Sequence, residues 1–338
     1  MTAPSLSMAG VTVLAGVAVR HALSLVELAD GLSITLPLLL VNGARPGPRL
    51  YLGAGIHGDE AGGVALLARA LANVDPAQLS GSIIGVLVQN PLALHADHRI
   101  PIGHYLKSPL DQMPIDPWTC FPGNPGGPLA EVIAHTLFGL IRQCHWAIDI
   151  HTPTRGGRYV PISILPPAAL GEAAGRAEEL AVAFGSGYVM KTSAGMYVRE
   201  GILAVEATRA AVPCFTFEIG EGGRLEPDLV AAGTRFVGNA LRHLGMLPGA
   251  VQRPATTMRL REFVGVRSTR GGLLYTEASL GAMVRSGQRL ARIESVYGAE
   301  VEAILAPADG LFVRATTLST VAAGERAATV ALVDTTAS

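Results

Sequence analysis

The sequence predicts an α/β chain that ends in an all-β module. Three observations carry that expectation. Apolar runs at 50–56 and 81–90 flank a helical pattern, which makes a βαβ unit with parallel pairing and a right-handed crossover. Helical and strand-like stretches keep alternating up to residue 244. Beyond Pro254 the texture changes to short alternating segments punctuated by glycine.

In chain order, Pro37 opens a short strand at 38–41, since proline is tolerated at a strand's first residue. Asn42-Gly43 follows as a hairpin-type turn. The strand at 50–56 carries glycines where backbone must approach backbone or ligand. His57-Gly-Asp-Glu60 then opens a helix that runs to 72, and the strand at 81–90 is halted by Pro91. Residues 91–128 make a long loop rich in Pro, His and Asp, a type that often lines active sites. Helices are expected at 129–144, 168–184 and 227–244, and strands at 146–150 and 214–219. Strands at 262–267, 272–275, 284–293, 301–305, 310–314 and 328–333 then close into a small barrel or sandwich. The boundary falls near Pro248-Gly249, giving domains 1–250 and 251–338. The second would shape the cleft mouth or make subunit contacts.

A chain of 338 residues can bury a sizeable core. With 49% hydrophobic and 16% charged residues, disorder is excluded. The net charge of −1 and the lack of a Lys/Arg block set aside a nucleic-acid surface. The apolar run at 32–40 is too short to span a membrane, and the first residues lack a basic leader, so a cytoplasmic location is expected. Cys120, Cys144 and Cys214 form neither a CxxC pair nor a disulfide framework and read as buried free thiols. A homo-oligomer remains open.

The chemistry concentrates at strand ends, where open α/β sheets place their sites. His57 and Glu60 follow one apolar run, His151 ends another, and Glu218 lies within a third. Two imidazoles and a carboxylate form a catalytic zinc set that leaves a fourth position for water, so one Zn²⁺ per chain is expected. His57 and Glu60, three apart, can converge from a helical turn or from a loop. Such a pair alone is weak; Gly53, Gly55 and Gly58 crowding the strand exit add weight. Asp149 could accept a proton from His151, or bond to backbone or an arginine. A carboxylate at Glu218 is costly unless it meets a cation, a metal or donors. It reads as a base toward water or as an arginine's partner, with Glu221 a weaker substitute. Arg99 could stabilise an oxyanion or be structural. His95, His98 and His104 read as loop residues or outer partners, and His135, His145 and His243 as ordinary helix-associated histidines.

Five segments together resemble the succinylglutamate desuccinylase/aspartoacylase family of the zinc carboxypeptidase-like superfamily. They are Gly55-Ile-His-Gly-Asp-Glu60, Asn90-Pro-Leu-Ala93 with Arg99, Cys120-Phe-Pro-Gly123, Asp149-Ile-His151 and Phe217-Glu-Ile-Gly-Glu-Gly-Gly223. The resemblance implies a zinc-carboxypeptidase-like mixed sheet flanked by helices, plus the C-terminal β domain. It places zinc on His57, Glu60 and His151, the catalytic glutamate at Glu218 and the carbonyl-polarising arginine at Arg99. It also implies hydrolysis of amide bonds in small N-acylated amino acids or related amines.

One departure stands out. The family's Asn-Arg substrate grip before Phe-Pro-Gly is replaced by Trp118 and Thr119. Threonine lacks the charged fork that holds a carboxylate. Either Arg155 or Arg158 supplies it, or the substrate is less anionic, with Trp118 against an apolar acyl group. The expected function is a zinc-dependent deacylase. A zinc exopeptidase and a metal-binding protein without catalysis are the alternatives, and a dinucleotide enzyme is least supported because Gly53-Ala-Gly55 lacks the rest of its motif. The β module resembles a biotinyl/lipoyl-type barrel, but no lysine follows Lys191, so a carrier role is excluded.

Overall fold

The computed structural model describes residues 3–100 and 116–335. A hairpin of β1 (Leu6–Met8) and β2 (Val11–Val13) precedes the main sheet. That sheet takes β3 (Val17–Glu27), β4 (Ser33–Asn42), β5 (Arg45–Ala54), β6 (Ser80–Val86), β7 (Trp146–His151), β8 (Gly157–Ile164), β9 (Tyr188–Met190) and β10 (Cys214–Glu221). It continues with β11 (Met258–Arg267), β13 (Met283–Val284), β16 (Gly310–Thr316) and β18 (Arg326–Val333). A separate four-stranded sheet holds β12 (Gly272–Thr276), β14 (Arg289–Glu294), β15 (Glu300–Leu305) and β17 (Thr320–Val321). The fold is therefore α/β with a mixed sheet and a C-terminal all-β region.

The main sheet runs β3-β4-β6-β5-β7-β10-β8-β9-β11-β18-β16-β13, with a further pairing of β16 to β8. Its central strands β6, β5, β7 and β10 are parallel, and β5 and β6 are joined through α1 (Ala61–Ala72) as the βαβ pattern requires. The Asn42-Gly43 hairpin is not formed. β6 inserts between β4 and β5, pairing antiparallel to one and parallel to the other. The local turn signal gave way to a buried central position for β5. The strand at the N-terminal edge, β3, alternates half-buried and exposed residues and had no distinct apolar run to mark it.

Helices cover both faces. On one side lie α1, α4 (Glu172–Phe184) and α6 (Pro227–His243); on the other lie α3 (Leu129–Ile141) and α5 (Leu203–Arg209). A short α2 (Pro91–Ala96) follows β6 and interrupts the expected long loop. Gly171, at φ +71°, separates a 3₁₀ turn at Ala168–Leu170 from α4, so the helix expected at 168–184 is split.

Strand alternation decides where the chemistry points. Phe215, Phe217 and Ile219 of β10 pack with Leu66, Phe184 and Val237, while Glu218 between them faces the other side. Burying each phenylalanine contributes roughly 1.5–3 kcal/mol. A one-residue slip of β10 would drive Glu218 into that apolar layer, so packing fixes the register. β7 alternates alike: Ile148 and Ile150 enter the same core. Register then pairs Glu218 with His151, and Asp149 with Gly53.

Candidate active site

His57 leaves β5 in a turn, and α1 begins only at Ala61. Glu60 precedes its first turn at φ −103°, ψ 39°. The helix expected from His57 thus starts four residues later, because the turn must press against α2. An added Cβ on Gly58 would lie 1.7 Å from the Ala93 carbonyl oxygen, so only glycine allows that approach. Asn90 caps α2, accepting from the Ala93 amide at 3.3 Å.

The turn and β7 bring three ligand-type side chains together, all about 1% exposed. His57 Nδ1 lies 2.6 Å from Glu60 Oε1, and His151 Nδ1 lies 2.9 Å from Glu60 Oε2. Ligand atoms of the three fall within 4.8 Å of one another. Each imidazole's other nitrogen meets a carboxylate: His57 Nε2 is 3.1 Å from Asp116 Oδ1, and His151 Nε2 is 2.8 Å from Asp149 Oδ2. Trp118 Nε1 donates to the same Asp149 oxygen at 2.9 Å. Arg99 donates to Asp116 Oδ2 through Nη2 at 2.7 Å and Nε at 3.2 Å, and to Thr154 Oγ1 at 2.8 Å.

Charge in this cluster is tightly set. Burial opposes ionisation of Glu60, yet His57 and His151 hold its pKa down at about 2. Burial likewise works against charge on Asp116, but His57 and Arg99 keep its carboxyl well below the usual range. Burial disfavours protonated His151, and Asp149 and Glu60 overcome it, raising the imidazole well above its ordinary value. Two imidazole nitrogens and a carboxylate within 4.8 Å of one another, with further carboxylates behind the rings, are the donor set that a divalent metal takes. The residues therefore fit a divalent metal.

Glu218 sits beside the cluster with a different environment. Tyr197 donates to its Oε1 at 2.8 Å, while Oε2 is buried and has no hydrogen-bond partner among the described residues. Burial raises its pKa to about 7, against the pull of His151. An orphaned carboxylate oxygen of this kind is costly and makes Glu218 a candidate functional group.

Cluster, Glu218 and Arg99 share one cavity of about 370 Å³. That volume suits a small ligand, whose pockets span roughly 300–1,000 Å³. Its far wall comes from the β module, including Phe263, Arg314, Arg326 and Thr329.

The substrate residues expected from sequence lie elsewhere, apart from Trp118. Trp118 is 2% exposed and stacks edge-on with His151 at 5.3 Å, so it braces the imidazole as well as lining the cavity. Thr119 is exposed, bonds back to the Asp116 carbonyl and does not line the cavity. Arg155 pairs with Asp97 on the surface, and Arg158 pairs with Glu221 and Glu226. Neither reaches the cavity, because local carboxylates claim both guanidinium groups. His95 and His98 are outside the lining too, and His104 falls outside the described residues. Asp116, Tyr197, Arg314 and Arg326 had gone unsingled. Asp116 alone carried a signal, as the acid opening the segment before Phe121-Pro122-Gly123.

An orphaned carboxylate lies beside a buried His–Glu–His set at the carboxyl ends of parallel strands, where open α/β folds place their sites. The chain belongs to the succinylglutamate desuccinylase/aspartoacylase family: its residues 46–244 match the model of the succinylglutamate desuccinylase/aspartoacylase catalytic domain. It is 28% identical over 295 residues to the N-α-acetyl-L-2,4-diaminobutyric acid deacetylase of Halomonas elongata, covering 81% of each chain. The fold is shared with the product-bound ectoine utilization protein EutE (DoeB) of Ruegeria pomeroyi, at a TM-score of 0.81 and 24% identity over 93% of this chain and 95% of that one. A succinylglutamate desuccinylase from Silicibacter sp. TM1040 gives the same TM-score at 22% identity, covering 94% and 95%. Among the described residues no helix is long and apolar enough to cross a membrane.

Proposed function

We propose that this protein is a zinc-dependent deacylase that hydrolyses the amide bond of a small N-acyl amino acid. The observation that carries the reading is Glu218 Oε2, buried and without a partner beside the His57–Glu60–His151 set. Zinc held by these three side chains, one ion per chain, would supply Lewis acidity that readies water and polarises the amide carbonyl. Family membership and the deacetylase named for Halomonas elongata support the amide chemistry.

In this reading Glu218 Oε2 takes a proton from the attacking water as its oxygen bonds to the carbonyl carbon. Tyr197 holds Oε1 and so aims the free oxygen. Burial raises the proton affinity of Glu218, which favours its holding that proton before it passes to the leaving nitrogen. Arg99, fixed by Asp116 and Thr154 on the cavity wall, stabilises negative charge on the carbonyl oxygen. The C–N bond breaks, and the products are a carboxylic acid and an amine. Asp149 and Trp118 orient His151 throughout, while Asp116 orients His57. Residues 251–338 would act here as the domain that shapes the cleft.

The test is hydrolysis of acetyl, succinyl and aromatic acyl amino acids by the zinc-loaded protein. Turnover should vanish with a chelator and return with zinc. Hydrolysis that persists at full rate without metal would overturn the zinc assignment.

A further inference from the structure

The β module contributes two arginines whose positions the proposed chemistry leaves unused. Register places Gly265 of β11 beside Thr329 of β18, Thr329 beside Arg314 of β16, and Arg314 beside Tyr159 of β8. This row, drawn from four adjacent strands, lines the cavity wall. Glycines make room for both guanidinium groups. A Cβ on Gly157 would stand 2.5 Å from Arg314 Nη2, and one on Gly265 would stand 3.2 Å from Arg326 Nε. Arg314 also lies over the Tyr159 ring, 6.0 Å from its centroid.

Neither arginine has a carboxylate within ion-pair distance among the described residues. Arg314 Nη1 donates a long hydrogen bond, 3.5 Å, to Thr316 Oγ1. Opposite Arg314 in register, Thr329 is 1% exposed and its Oγ1 has no hydrogen-bond partner among the described residues. A buried hydroxyl left unpaired beside two uncommitted guanidinium groups is a built anion site. It shares one cavity with Glu218, and Tyr159 lines the same cavity. Burial and then Glu218 raise the Tyr159 pKa, while Arg314 and Arg326 lower it.

We infer that Arg314, Arg326 and Thr329 form the clamp for a free carboxylate of the substrate. The clamp replaces the charge that Thr119 cannot supply, and it selects N-acyl amino acids with an unblocked carboxyl group. This rests on the deacylase reading for the identity of the ligand, but its binding can be measured without turnover.

The experiment compares N-acetyl-L-amino acids with their C-terminal amides. Calorimetric binding is measured on the zinc-loaded Glu218→Gln protein, and kcat/KM on the protein with Glu218 intact. The acids should bind about 10- to 100-fold more tightly than the amides. Arg326→Gln, at an exposed position, and Arg314→Gln should each remove most of that preference, weakening acid binding far more than amide binding. Thr329→Val should reduce it less. Equal binding of acid and amide, or equal losses for both ligands in the arginine variants, overturns the clamp. If the intact protein hydrolyses neither ligand, the deacylase reading fails, while the acid–amide contrast in binding still decides the clamp.

Discussion

The floor and the rim of the cavity are built on opposite electrostatic plans. On the floor, both nitrogens of His57 and of His151 face carboxylates, and the ligand side chains are nearly sealed from water. On the rim, Arg314 and Arg326 meet no carboxylate among the described residues, and Arg326 is exposed. Preorganised charge is costly to assemble and is kept where a reacting centre or a bound ion repays it. Uncommitted charge keeps its water until a ligand displaces it. On the proposed reading, the contrast separates chemistry from selection within one small cavity.

Breaking the floor should have the largest effect. His151→Ala is expected to drop metal content from about one ion per chain toward zero, and activity by more than the roughly 100-fold cost of losing an outer partner. Elemental analysis alongside turnover checks it; a fully loaded variant would remove His151 from the ligand set. Glu218→Gln should keep its metal and lose about 10²–10⁴-fold in kcat. Loss of metal instead would make Glu218 a ligand.

Asp149→Asn probes the support beneath the floor. Metal affinity should weaken by about 10- to 100-fold in chelator competition, because the imidazole loses its charged partner. Unchanged affinity would mean that Trp118 and the backbone orient His151 alone. The smallest effect belongs to the arginines that carboxylates already claim. Arg155→Ala and Arg158→Ala remove surface pairs worth about 0–1 kcal/mol, so kcat/KM should move by less than about 5-fold for acids and amides alike. A selective loss for acids in either variant would shift the clamp away from the β module.

The floor was legible in the sequence and the rim was not, for a physical reason. His57, Glu60 and His151 stand at the ends of apolar runs and Glu218 lies within one, and an ionisable group at such a run needs an explanation from neighbouring residues alone. The same local logic found α3, α6 and the βαβ unit. It misjudged Asn42-Gly43, because whether a turn joins paired strands depends on β6, some 40 residues away. Arg314 reaches the cavity through cross-strand register with Tyr159, a relation with no trace in spacing. Arg155 and Arg158 looked nearer because they follow His151 directly, but Asp97 and Glu226 could not be placed beside them without the fold.

The pairing of β16 with β8, together with that of β11 with β9, has a consequence for how the protein can be cut. A fragment ending near residue 250 would leave the outer edges of β8 and β9 bare beside β10, the strand that carries Glu218. Open backbone edges recruit other chains. Such a fragment should therefore clump in solution rather than survive as a smaller enzyme, and grafting a foreign β module would have to restore that backbone seam before it could alter substrate choice.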